Sequence, residues 1–250
     1  MTVARRTSGR ATGDAGANRF TKAGVLATIL IELGASAAEL IAHGLGLNIP
    51  MLDSASDGGV FGALVDTAVA AAAASAWLVT ARVRSARPVA VVLAVLLTFL
   101  AVDQVAGLHD RIPHWLAFYL PVLLAAFVCL AAMARGVPGL PPVRAGQGPE
   151  GAVIRRLVGV GLGLLVFSFF LHLFGERLLA GLGASSPAGW AYQVKAVVKH
   201  GTEVAGWLLI TLGLLRLGLA GGLRSRAVMA PAVPRANAHH GVRARSRPGR

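Results

Sequence analysis

The sequence predicts an all-α fold, an integral membrane bundle of six transmembrane helices with both termini in the cytoplasm. Three observations predict it. The 250-residue chain is 55% hydrophobic and only 14% charged, whereas a soluble domain carries about 25% charged residues. Its apolar residues gather into runs close to the ~20 residues that cross a bilayer as a helix. Its arginines crowd the ends of the chain and alternate connections between the runs, as positive-inside topology requires.

The runs cover 23–46, 60–83, 89–108, 115–134, 157–179 and 190–219. None alternates apolar and polar residues as a strand would. Hydrocarbon offers no partner for open backbone groups, so each run is read as a helix. The first run begins after a basic stretch and contains Ala35-Ser36-Ala37, as a signal peptide would. Glu32 inside the run, and its continuation to Gly46, argue against cleavage. Pro121 is expected to kink the fourth helix. Gly159, Gly161 and Gly163 resemble a nucleotide loop, but they stand inside an apolar run. Gly159 and Gly163, four residues apart, are read as a close-packing surface, as is Ala70–Ala74.

Orientation follows from the basic residues. Arg82, Arg84 and Arg87 lie between the second and third runs, and Arg135, Arg144, Arg155 and Arg156 between the fourth and fifth. The alternate connections hold only Arg111 and Arg177. The domain plan is a disordered basic cytoplasmic tail at 1–22, a six-helix membrane domain at 23–223 with a Gly/Pro-rich cytoplasmic linker at 136–151, and a second disordered basic tail at 224–250. The net charge of +13 is spread over tails and loops, with no nucleic-acid-binding motif beside it, so nucleic acid is excluded as the partner. The lipid bilayer is the expected partner, with anionic headgroups within reach of the basic tails. A single cysteine, Cys129, rules out an internal disulfide and a Cys-based zinc knuckle.

Ionisable residues inside membrane helices are costly and are read as functional by default. Here they share one depth. With the N-terminus inside, Glu39 and His43, Asp66, Asp103 with His109 and Asp110, His172 with Glu176, and Lys199, His200 and Glu203 all fall in the outer half. They also share helix faces, because spacings of four, seven and eleven return to one side of a helix. Glu32, Ser36, Glu39 and His43 obey that rule, as do Asp103 with Asp110, Ser168 with His172 and Glu176, and Lys199 with Glu203.

The candidate site is Asp103, His109, Asp110, Glu176 and Glu203, with Glu39, His43, Asp66, His172 and His200 behind them. Three chemistries fit. Clustered acids and histidines take protons or a cation, together with a small-molecule or lipid ligand. A divalent metal held by His109, Asp103 and His172 would make a metal-dependent intramembrane hydrolase acting on lipid. Pairing of Lys195, Lys199, Arg111 and Arg177 with Glu203, Asp110, Glu176 and Asp103 would make the cluster a helix-locking salt-bridge network and the chain a structural membrane protein.

The string Asp103-Gln104, four residues, then His109-Asp110 resembles a motif of uncharacterised bacterial multi-pass membrane proteins. There, Asp-Glu and His-Glu flank four small or apolar residues at the outer end of a helix. Glu176 and Glu203 stand where those proteins carry later acids. Gln104, Asp110 and His200 depart from the pattern. The resemblance spans helices three to six and implies a multi-pass protein of the bacterial inner membrane, with no activity attached. A looser analogy is to intramembrane metal hydrolases such as alkaline ceramidases, whose paired His-x-x-x-His helix is missing here.

Overall fold

The computed structural model describes residues 8–47, 49, 59–84, 87–108, 111–135, 149–184 and 189–229. Among them it holds six helices and no strand. These are α1 (Ser8–Gly44), α2 (Val60–Arg82), α3 (Arg87–Ala106), α4 (Trp115–Arg135), α5 (Pro149–Gly181) and α6 (Trp190–Met229). All six are long and apolar enough to cross a membrane, as the apolar runs predict.

Three ends differ from expectation. α1 starts at Ser8, inside the stretch expected to be a disordered tail. α6 continues to Met229, past the start of the expected C-terminal tail. α5 starts at Pro149, inside the expected linker. Once an apolar run has nucleated a helix, each further turn is cheap to add. Pro149 suits a first helical position because its missing N–H would have no partner there. Residues 1–7, 136–148 and 230–250, on which the rest of the tail and linker expectations fall, lie outside the described residues. Pro121 lies within α4, and the helix runs through it.

The helices pack as a ring with one addition. α2 packs on α3, α3 on α4, α4 on α5, α5 on α6, and α6 back on α2; α1 lies against α6. α6 is therefore the shared post. It is the most enclosed span, with Val204, Ile210 and Leu214 almost wholly buried. α1, by contrast, exposes Leu26, Leu30 and Leu33 on its far side, as a helix bathed in lipid does.

Glycines let α6 serve that role. A Cβ on Gly161 of α5 would lie 2.7 Å from the Gly206 carbonyl oxygen, and one on Gly206 would lie 2.9 Å from that of Gly161. The two backbones touch where neither residue has a side chain, the small-residue packing that holds membrane helices together. The sequence expectation named the wrong glycines. Gly159 and Gly163 have nothing within 4 Å of an added Cβ; they sit on the opposite side of the helix from Gly161. The Ala70–Ala74 run turns Ala72 and Ala73 inward.

An ion pair closes the end of the bundle where α5 begins. Arg216 of α6 is 4% exposed and donates from Nε and Nη2 to the two Glu150 oxygens, each at 2.8 Å; its Nη1 donates to Thr21 of α1. Arg216 stands in the later half of α6, away from Lys199, His200 and Glu203. Its partners come from residues 66 and 195 positions away, which no local pattern reveals.

Gly161→Ala is expected to destabilise the bundle by about 1–3 kcal/mol through overpacking, while Gly159→Ala and Gly163→Ala are neutral or gain up to about 1 kcal/mol of helix propensity. Thermal unfolding of the three variants in one detergent separates them. Glu150→Ala strands a buried guanidinium and is expected to cost about 3 kcal/mol in the same assay.

Candidate functional site

The ring of α2 to α6 encloses a cavity of about 740 Å³, within the size range of small-molecule sites. Every helix of the ring contributes a polar group to its wall. α2 supplies Asp66, α3 Asp103, α4 Tyr119, and α5 Ser168 and His172. α6 supplies Lys199, His200 and Glu203. All lie toward one end of the ring, opposite the Arg216–Glu150 pair. The rest of the wall is apolar or aromatic, including Leu100, Leu123, Phe127, Phe169 and Trp207.

Asp103 is the best-buried acid of this set, at 4% exposure. It stands one turn before the end of α3, and the Tyr119 hydroxyl donates to its Oδ1. Tyr119 lies one turn into α4, so the α3–α4 hairpin brings the two face to face. Aromatic rings hold Tyr119 in place: Phe99 stacks on it at 5.7 Å between centroids and Trp115 meets it edge-on at 6.1 Å. Such pairs add about 0.5–1.5 kcal/mol each beyond burial. The bond satisfies a buried oxygen that would be costly to leave without a partner.

On α6, Lys199 Nζ is 3.3 Å from His200 Nε2, and His200 Nδ1 is 3.9 Å from a Glu203 oxygen. Phe61 of α2 lies against the His200 ring at 6.2 Å between centroids. His172 faces Trp115 at 5.9 Å between ring centroids and lines the cavity.

The sequence-predicted residues divide into four groups. Asp103 and Glu203 line the cavity, and so do Asp66, His172 and His200. Glu176 does not. Its side chain is 73% exposed and lies 3.9 Å from Lys195, a rim contact of the kind worth little in stability. Glu39 and His43 lie on α1, with His43 edge-on to Trp190 at 4.7 Å. His109 and Asp110 lie outside the described residues. Of the helix-locking pairs envisaged from sequence, Lys195–Glu176 forms, and Asp103 accepts a hydrogen bond from Tyr119.

Sequence reasoning missed Tyr119. The signal was present: it is one of two tyrosines in the chain, one turn inside a helix that follows an acid-ended one. Among the described residues no three of His, Cys, Asp and Glu come close enough together to hold an ion.

Tyr119→Phe removes the donor and leaves a buried carboxylate oxygen without it. The expected cost is about 1–3 kcal/mol, read as a lowered unfolding midpoint in detergent. Asp103→Asn, which keeps an acceptor for the hydroxyl, is expected to cost less.

No protein-family model, no curated protein and no solved structure matches this chain.

Proposed function

We propose that this chain is a multi-pass protein of the cell membrane whose central cavity binds a cation, and that the occupant is an amphipathic small molecule or lipid with a cationic head and an apolar body. The observation that carries the reading is the make-up of the cavity wall. Three carboxyl groups, Asp66, Asp103 and Glu203, face it against one ammonium group, Lys199. A cation entering there gains attraction in a region of low dielectric, where charge pairs are stronger than in water.

The apolar part of the wall supports an organic occupant over a bare ion. Trp115, Phe127, Phe169 and Trp207 line the same cavity, and aromatic faces attract organic cations by about 0.5–2 kcal/mol each. Asp103, oriented by Tyr119, is the anchor for the charged head. Glu203 and His200, 3.9 Å apart, are the groups that would exchange protons as the cation enters and leaves. The basic loops support an orientation with both termini in the cytoplasm, which would turn the acidic end of the cavity outward.

Tetraphenylphosphonium, a lipophilic cation, is a suitable probe. It should bind the detergent-solubilised protein, and Asp103→Asn and Glu203→Gln should each weaken binding roughly tenfold, which is ~1.4 kcal/mol. Tetraphenylmethane, a neutral molecule of the same shape, should bind at least tenfold more weakly. Equal binding of the two probes, or no effect of either substitution, would sink the reading. Equilibrium dialysis measures all of these.

A further inference from the structure

α1 lies outside the ring, yet its polar stripe is turned inward against α6. The two helices run antiparallel in a single register. Arg216 reaches Thr21, Leu212 fills the space beside Gly24, Glu32 sits on Gly201, and Trp190 closes on His43 and Gly44. Glu32 is thus near the middle of the seam and far from both ends.

The surroundings of Glu32 are unusual for a carboxyl group. The residue is 9% exposed, both of its oxygens are buried, and neither has a hydrogen-bond partner. Its Oε2 would be 3.0 Å from a Cβ on Gly201, so the carboxyl group occupies the space that a side chain at 201 would fill. Ser36 Oγ approaches the same point at 4.0 Å. Nearby hydroxyls are turned elsewhere: Thr28 donates to the Gly24 carbonyl, and Thr202 to the carbonyls of Val198 and Lys199.

We infer that Glu32 and its glycine seat form a proton-binding site on the α1–α6 seam, separate from the central cavity. A buried carboxyl group needs something to complete it, because burying an unpaired charge costs far more than burying a satisfied polar group. The seat is too poor in oxygen for a hard metal ion. Hard cations take six or more oxygens, and the seam supplies the two of Glu32 and the hydroxyl of Ser36. A proton needs only the carboxyl group itself. Gly201 makes the seat: any larger residue there meets the carboxyl oxygen.

Titratable groups on the seam helices are Glu39 and His43 on α1 and Lys195, Lys199, His200 and Glu203 on α6; of the ring helices that also pack on α6, α2 carries Asp66 and α5 carries His172 and Glu176. Gly201 directly follows His200, which lines the cavity. The seam site and the cavity therefore stand on two sides of the same turn of α6.

Infrared spectroscopy of the full chain in lipid vesicles tests the inference. The expected result is a carboxylic-acid C=O band that is absent from Glu32→Gln, kept in Glu39→Gln, and lost from the wild type as the pH is raised. A second measurement needs no variant: dicyclohexylcarbodiimide, which adds to protonated carboxyl groups in apolar surroundings, should label Glu32 in the peptide map, with labelling falling at least tenfold from acid to alkaline pH. A wild-type band that persists at every pH, or labelling that spares Glu32 at acid pH while reaching other acids of the chain, would overturn it.

Discussion

Close approach of the neighbouring helices to α6 is the constraint on which the rest of the structure depends. Lipid gives apolar side chains no reason to prefer one another over acyl chains, so membrane helices are held by dispersion contacts and polar pairs, both of which need short distances. α6 achieves them by leaving side chains out. Gly201 admits Glu32 of α1, Gly206 meets the backbone of α5, Gly213 receives Val158, and Gly218 receives Leu78 of α2. Each glycine serves a contact with one neighbour, and together they set α6 between three helices.

The ring follows from that arrangement. With α5 and α2 both drawn onto α6, α3 and α4 close the circuit, and the space at the centre becomes the cavity. One end of the bundle is locked by Arg216 and Glu150. The other end carries the acids, the histidines and Tyr119. The division places a structural ion pair and a wall of ionisable groups at opposite ends of the bundle.

The two polar sites differ in kind. The cavity groups have partners within the ring, Asp103 with Tyr119 above all. Such partners fix side chains in place. Glu32 has no hydrogen bond at all, and the helix that bears it is the one outside the ring.

Much of this was determined by the sequence alone. Six apolar runs define six helices because backbone groups in hydrocarbon must be paired within the segment. The spacing of Glu32, Ser36, Glu39 and His43 put them on one face, and Glu32 and Glu39 are both buried. The depth of Asp66, Asp103, His172, His200 and Glu203 was legible for the same reason, and all five line one cavity. Only the tertiary structure decided which helix stands beside which. Nothing local distinguishes Gly161 from Gly159, pairs Arg216 with Glu150, or separates Glu176 at the rim from Asp103 at the wall. Those outcomes depend on helix rotation and on contacts between segments far apart in the chain, and the periodicity of one helix carries no information about its neighbour.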